Sequence, residues 1–168
     1  MKSIISDIKI FIVDCDGCLT DGFMYYTDEG QYMKKFNAKD GMGLMQVKRN
    51  GIKTGIVTGD THLIAQKRAE HLNLDFVESG IKAKHRAIEK ILENFGFKWE
   101  DLAFFGDDVN DLEVIKRCRL AFCPNDAHQT VKKYVNSLNG IVCENDGGYA
   151  CVRQACDILT NNCTFGEL

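Results

Sequence analysis

The feature that most constrains the fold is an apolar run that ends in two closely spaced aspartates. Residues 8–13 read Ile-Lys-Ile-Phe-Ile-Val and are followed by Asp14, Cys15, Asp16 and Gly17. The run is short and rich in β-branched side chains, which predicts a buried strand. The two carboxylates therefore lie where the strand ends and the chain turns, and at this edge open α/β sheets bind ligands.

Asp14 and Asp16 form the first candidate site. Side chains alternate along an extended chain, so these two carboxylates share one face while Cys15 points to the other. Two acids that face the same site repel each other, and a cation, a shared proton or both must hold them there. Gly17 and Gly22 supply the sharp turns that such a loop needs.

Length and charge limit the classes of protein to which the chain can belong. Its 168 residues predict one domain over residues 1–168, and a net charge of −3 argues against nucleic acid or an anionic membrane as the main partner. No apolar stretch reaches the roughly 20 residues of a membrane span, and the N-terminus lacks a signal-peptide pattern. We therefore expect a cytoplasmic protein.

Eight cysteines are scattered along the chain, and Cys15 and Cys18 form the single C-x-x-C pair. No second pair stands at zinc-binding spacing, so we expect reduced thiols. The interleaved Asp14 and Asp16 would disfavour a thiolate at either cysteine by repulsion, which argues against redox chemistry.

Strand and helix patterns alternate after the first loop. Aromatic, β-prone segments flank residues 27–30 and predict a hairpin inserted at about residues 23–36. The alternation predicts a doubly wound, mostly parallel Rossmann-like sheet with helices on both faces. The predicted strands are 8–13, 53–57, 76–77, 102–105 and 120–123, and the predicted helices are 40–49, 61–71, 82–95, from 110, from 127, and 148–159.

Polar clusters follow the predicted strands or begin predicted helices, and the carboxyl ends of parallel strands meet at one edge of a sheet. Carboxylates bind Mg²⁺, a threonine with backbone N–H groups holds phosphate oxygens, and a lysine neutralises developing charge. The combination predicts phosphoryl transfer. The clusters are Asp14 with Asp16, Thr58-Gly59-Asp60, Lys84, and Gly106-Asp107-Asp108 with Asp111.

These ordered clusters resemble the four motifs of the haloacid dehalogenase superfamily of phosphohydrolases, and the resemblance covers about residues 8–159. It implies a Mg²⁺-dependent enzyme that forms an aspartyl-phosphate on Asp14, while Asp16 protonates the leaving alcohol and then activates water. Asp14, Asp107 and the Asp16 backbone carbonyl would hold Mg²⁺. The other implied roles are phosphate or substrate binding by Thr58, Gly59, Lys84 and Asp60, and support of the metal ligands by Asp108 and Asp111.

The short insertions resemble the capless branch of this superfamily, which includes octulosonate 8-phosphate and sialic-acid-type nonulosonate 9-phosphate phosphatases. Residues 36–43 and 147–153 also match that branch. The branch implies a small phosphorylated sugar acid as substrate, a place in lipopolysaccharide or sialic acid biosynthesis, and a homotetramer assembled through the hairpin. Arg153 would either reach a substrate carboxylate or pair with a neighbouring subunit.

Two positions depart from the octulosonate enzymes. Asp60 stands where arginine usually follows Thr-Gly, and Tyr149 stands where arginine or lysine is usual in the late Gly-Gly loop. An acid at position 60 would repel a substrate carboxylate unless hydroxyls or a metal bridged the two groups. The acid after Thr-Gly favours the nonulosonate 9-phosphate phosphatases.

Two other interpretations stay open from the sequence. A signalling receiver also combines a phosphoacceptor aspartate, an acidic pair, a threonine and a lysine, but its phosphoacceptor follows the acidic pair. Here Asp14 comes first and another acidic cluster follows Lys84. A catalytically silent assembly subunit is the second alternative, and the intact motifs argue against it.

Overall fold

In a computed structural model, which describes residues 5–160, the protein is built on a parallel sheet of six strands. These are β1 (Ile10–Val13), β4 (Lys53–Val57), β5 (Phe76–Glu78), β6 (Leu102–Phe105), β7 (Leu120–Cys123) and β8 (Ile141–Val142). The spatial order is β5-β4-β1-β6-β7-β8, and every neighbouring pair is parallel. Two further strands, β2 (Tyr25–Thr27) and β3 (Gly30–Met33), form a separate antiparallel hairpin.

Helices cover both faces of the sheet. They are α1 (Ala38–Arg49), α2 (Ile64–His71), α3 (Lys84–Phe95), α4 (Leu112–Ile115), α5 (Gln129–Ser137) and α6 (Cys151–Thr160). Because side chains alternate along β1, Phe11 and Val13 pack into a core with α1, α2 and α6, whereas Ile10 and Ile12 pack into a second core with α3, α4 and α5. The predicted doubly wound fold is confirmed.

Several element boundaries differ from the sequence predictions. Strand β8 was not predicted, because two residues carry too little periodicity to be recognised. The last helix begins at Cys151 rather than at residue 148, because residues 147–150 form a turn in which Gly148 and Ala150 have non-helical φ angles of +71° and +69°. The helix predicted from residue 110 is a 3₁₀ turn, Val109–Asp111, followed by the short α4. The remaining starts move by two or three residues, to Ile10, Ala38, Ile64, Lys84 and Gln129.

Within residues 5–160 the insertions around the sheet edge are short. The hairpin β2–β3 follows the first loop, and the chain between Gly59 and Lys84 forms only α2 and β5, so this part of the chain contains no cap domain. None of its helices combines the length and the apolar character needed to cross a bilayer. Cys163 and both ends of the predicted domain lie outside the described residues.

Candidate active site

An open cavity of about 260 Å³ lies at the carboxyl ends of β1, β4 and β6. The structure thus brings the clusters after these three strands to one place, as parallel strands require. The cavity wall is rich in carboxylates. Its lining residues are Asp14, Asp16, Gly17, Gly22, Thr58, Gly59, Asp60, Asp107, Asp108 and Asn110.

Asp14 continues β1 into the first loop. Its backbone N–H donates to the Phe105 carbonyl at 2.9 Å, which fixes it at the centre of the sheet. Its Oδ1 accepts a hydrogen bond of 2.7 Å from the Cys15 N–H. The loop then turns at Gly17, whose φ is +77°, and closes with a hydrogen bond from the Thr20 N–H to the Cys15 carbonyl. This turn directs both Asp14 and Asp16 toward the cavity.

Lys84 is a buried lysine at the first turn of α3. Its Nζ lies 2.8 Å from Asp14 Oδ2 and 2.7 Å from Asp111 Oδ1. Burial lowers the pKa of Lys84, but the carboxylates of Asp14 and Asp111 raise it by more, so its pKa lies above the usual value. The lysine is therefore an ammonium ion at neutral pH.

Asp111 connects this lysine to the loop after β6. Its side chain is fully buried, and Oδ2 accepts hydrogen bonds from the N–H groups of Asp107 at 3.0 Å and Asp108 at 3.4 Å. Asp108 Oδ1 accepts from the Val109 N–H at 2.7 Å and begins the 3₁₀ turn. Asp111 therefore holds the backbone on which Asp107 stands.

Asp14 and Asp107 carry unusual acidities. Burial is the largest cause and raises the pKa of Asp14 to about 8, although Lys84 opposes the rise. Burial, with repulsion from Asp111, raises the pKa of Asp107 to about 7. The carboxyl groups of Asp14, Asp107 and Asp111 face the single positive charge of Lys84, so fully ionised they would carry more charge than this lysine neutralises.

This charge excess suits a divalent cation. Ligand atoms of Asp14, Asp107 and Cys18 lie within 4.8 Å of one another, and Cys18 Sγ donates to Asp107 Oδ1 at 3.5 Å. Two carboxylates are the hard oxygen donors that Mg²⁺ prefers. Gly17 leaves this corner open, because a Cβ there would lie 2.1 Å from Asp107 Oδ2. The residues present therefore fit a Mg²⁺ ion held by Asp14 and Asp107.

The loop after β4 carries Thr58 and Asp60. Thr58 is buried, and its Oγ1 accepts a hydrogen bond of 3.2 Å from the Asp60 N–H. Asp60 Oδ2 lies 2.5 Å from Lys34 Nζ, and Asp60 Oδ1 lies 2.6 Å from His62 Nδ1. Burial alone would raise the pKa of Asp60, but Lys34 and His62 lower it to about 2. The acid that was expected to repel a substrate carboxylate is thus already compensated.

Lys34 was missed by sequence reasoning. It follows β3 directly, and its buried ammonium lies 2.7 Å from Asp16 Oδ1 and 2.8 Å from Oδ2. Its neighbour Lys35 is half exposed and pairs with Asp21. Alternation along an extended chain predicts that one of two adjacent lysines points inward. That signal was present, but it does not say which of the two does so.

Arg153 and Tyr149 do not line the cavity. Arg153 is on α6, where its Nε lies 2.7 Å from Asp157 Oδ1. Its place beside a substrate or a second subunit stays a prediction. Tyr149 is exposed, and the Lys35 ammonium lies 4.9 Å from the centre of its ring.

Comparison with known proteins identifies the family. A model described as haloacid dehalogenase-like hydrolase matches residues 38–119. The 3-deoxy-D-manno-octulosonate 8-phosphate phosphatase of Escherichia coli K12 is 30% identical over 153 residues, which are 91% of this chain and 79% of the relative. This chain is a haloacid dehalogenase-like hydrolase. The relatives also show that this hydrolase is a phosphatase, which favours the enzyme over the receiver and the silent subunit.

The folds of solved phosphatase structures match that of this hydrolase along most of its length. The phosphatase of the same name from Yersinia pestis is 28% identical and has a TM-score of 0.88, covering 95% of this chain and 84% of that one. The Moraxella catarrhalis enzyme, solved in complex with magnesium, phosphate and KDO, is 27% identical with a TM-score of 0.87 and coverages of 96% and 92%. The hydrolase therefore shares the fold of the octulosonate phosphatases.

Proposed function

We propose that this phosphatase hydrolyses the phosphate monoester of an acidic eight- or nine-carbon sugar, octulosonate 8-phosphate or a nonulosonate 9-phosphate, with Mg²⁺ as cofactor. The observation that carries the proposal is the buried contact of Lys84 with Asp14 beside Asp107, in a chain related to octulosonate phosphatases. This arrangement places the carboxylate of Asp14, with the Lys84 ammonium behind it, at the wall of an open cavity of about 260 Å³.

In the proposed reaction, a carboxylate oxygen of Asp14 bonds to phosphorus while the bond from phosphorus to the sugar oxygen breaks. Asp16 gives its proton to that departing oxygen. Asp16 then takes a proton from water, whose oxygen bonds to phosphorus and releases Asp14 and inorganic phosphate. Thr58 and Gly59 line the cavity and hold the phosphoryl oxygens, and the Lys84 ammonium, which does not line the cavity, neutralises developing charge from its contact with Asp14.

Asp14, Asp107 and the main-chain carbonyl of Asp16 would hold the Mg²⁺, which supplies neutralisation of charge at the phosphate when bound. The closeness of Asp14 and Asp107, whose ligand atoms lie within 4.8 Å of each other, supports this assignment. Asp108 and Asp111 keep the Asp107 loop in place. A chelator is expected to stop phosphate release, and added Mg²⁺ to restore it.

Assembly through the hairpin belongs to the same proposal. Among the hairpin side chains that the structure describes, large apolar ones are exposed at both ends: Phe23, Met24, Tyr25 and Tyr26 at its start, and Met33 at its end. Their exposed fractions are 43–69%. An isolated two-stranded ribbon is only marginally stable in water, and a contiguous apolar patch favours burial against another chain. We infer a homotetramer in the cytoplasm.

The test is phosphate release with Mg²⁺ from a panel of octulosonate 8-phosphate, nonulosonate 9-phosphates, hexose phosphates and nucleotides. One ulosonate is expected to be preferred by about tenfold or more in kcat/KM, about 1.4 kcal/mol of transition-state discrimination. Asp14→Asn should abolish release, and Asp28→Asn, at the exposed hairpin turn, should leave it unchanged. Release by Asp14→Asn, or phosphate that stays on the wild-type chain without turnover, would refute the proposal.

A further inference from the structure

Lys34 is a buried cation that the proposed reaction does not use. Its side chain is 0% exposed, and its Nζ contacts both carboxylate oxygens of Asp16, at 2.7 and 2.8 Å. The same Nζ lies 2.5 Å from Asp60 Oδ2. An ammonium ion is costly to bury unless it is well paired, and this one is paired on two sides.

The two partners of Lys34 come from different loops and reach the cavity, whereas Lys34 does not line it. The side chains of Asp16 and Asp60 are 24% and 11% exposed. Lys34 therefore lies behind the cavity wall and touches these two acids from the protein side. Any effect it has on a substrate must pass through Asp16 or Asp60.

Asp14 and Asp16 are each held by a different lysine. Lys84, from α3, contacts Asp14, and Lys34, from the end of the hairpin, contacts Asp16. An ammonium that bridges both oxygens of a carboxylate restrains its rotation about χ2. Asp16 thus has a fixed orientation although part of its surface faces solvent.

We propose that Lys34 is a positioning residue that orients Asp16 for proton transfer to the leaving oxygen and neutralises Asp60, so that an acidic sugar can enter. The inference rests on the proposed function, in which Asp16 is the acid. It also explains the acid after Thr58-Gly59: with Lys34 and His62 against it, Asp60 presents hydrogen-bond acceptors to sugar hydroxyls rather than an unpaired charge.

A purely structural role makes a different prediction. Lys34 ties the hairpin to the first loop and to the loop after β4, so its removal lowers stability in either case. Only a positioning role makes the loss of activity depend on the leaving group, because an acidic phenol departs with little protonation and an alcohol needs a proton donor. The value of kcat/KM reports this step, since it includes events only up to departure of the first product.

The experiment compares kcat/KM for p-nitrophenyl phosphate and for an alkyl phosphate of the proposed sugar class, with Mg²⁺, in Lys34→Met and in the wild type. General acid catalysis contributes about 10²–10⁴-fold, so Lys34→Met should lose about 100-fold or more on the alkyl ester and less than about tenfold on the aryl ester. Lys34→Arg should recover part of the alkyl rate. Lys35→Met, which removes the exposed neighbouring lysine, should leave both values unchanged.

Equal losses on the two esters, or no loss on either, would overturn the proposal. Should Lys34→Met fail to fold, Lys34→Gln and Lys34→Arg carry the same comparison, with the ratio of the two esters as the readout. Failure of the proposed function itself looks different. In that case the wild type releases no phosphate from either ester, or Asp14→Asn releases it equally fast.

Discussion

A Cβ atom added at Gly17 would lie 2.1 Å from Asp107 Oδ2, so the first loop and the loop after β6 touch at a position where only glycine fits. The φ of +77° at Gly17 adds a second reason for glycine. The two loops that form the proposed metal site can therefore approach this closely only because residue 17 has no side chain.

Gly17→Ala should displace Asp107 and lower both Mg²⁺ affinity and turnover. A displacement near 1 Å at a reacting centre costs about 100-fold in rate. Gly51→Ala is the matched control, since Gly51 also has a positive φ, +82°, but a Cβ there meets nothing within 4 Å. Both variants should lose about 1–2 kcal/mol of stability through backbone strain. Activity titrated against Mg²⁺ separates them, and equal activity in the two would contradict the expectation.

Lys84→Met should strongly destabilise the protein, because it leaves the buried carboxylates of Asp14 and Asp111 without their cation. Breaking such a buried pair costs about 3–5 kcal/mol. The double variant Lys84→Met/Asp111→Asn should recover part of the lost free energy of unfolding, since it no longer carries the uncompensated charge of Asp111. Urea unfolding at pH 7.5 measures the four free energies of the cycle, and simple additivity of the two single losses would argue against coupling.

Asp40→Asn should raise the free energy of unfolding at neutral pH by about 1 kcal/mol. Burial is the main cause that raises the pKa of Asp40 to about 6, and its Oδ1 accepts from the Arg153 N–H at 2.7 Å. Because the folded pKa is above the unfolded value of 3.8, this carboxyl favours the fold most when protonated, and its contribution falls as pH rises through about 6. Asparagine keeps an acceptor without the charge.

Unfolding at pH 7.5 and at pH 5 checks this sign. The gain from Asp40→Asn should shrink at the lower pH, where the wild-type carboxyl is largely protonated. A gain that is independent of pH, or a loss at both values, would show that the buried charge is not the cause.

Replacing two exposed aromatic residues of the hairpin, Phe23→Lys with Tyr26→Lys, should dissociate the proposed tetramer. The two side chains are 69% and 67% exposed, and burial of apolar area drives such assembly. Leu138→Lys, at an apolar residue 47% exposed beyond α5, is the control and should leave the mass unchanged. Light scattering gives the mass, and a monomeric wild type would remove the basis of the prediction.

The sheet and the positions of the acidic clusters were predictable from the sequence. Each cluster follows a short run of apolar residues, and such a run is expected to form a buried strand. Asp14, Thr58 and Asp107 meet at one edge for that reason alone. The pairing of Asp60 with Lys34 was not predictable, because these residues are far apart in sequence and the hairpin presents two adjacent lysines. A contact between residues this far apart in sequence leaves no periodic pattern in the sequence that would predict it.

The late Gly-Gly loop, at residues 147–148, was also only partly predictable from the sequence. Its likeness to a family pattern was visible, but its contact was not: a Cβ at Gly147 would lie 2.0 Å from the Gly17 carbonyl oxygen, and the Gly148 N–H donates to the Cys18 carbonyl at 3.0 Å. Glycine is therefore needed at these two positions because they approach the first loop closely, and not only because the chain turns there.

That contact joins the first loop to a segment about 130 residues later in the sequence, and this separation matters during synthesis. Asp14 is synthesised well before Gly147 and Gly148, so the first loop lacks this contact until those two residues have also emerged from the ribosome. A chain truncated before residue 147 would keep Asp14, Asp16, Thr58, Lys84 and Asp107 and still lack the contact that supports the first loop, so we expect its proposed site to be incomplete.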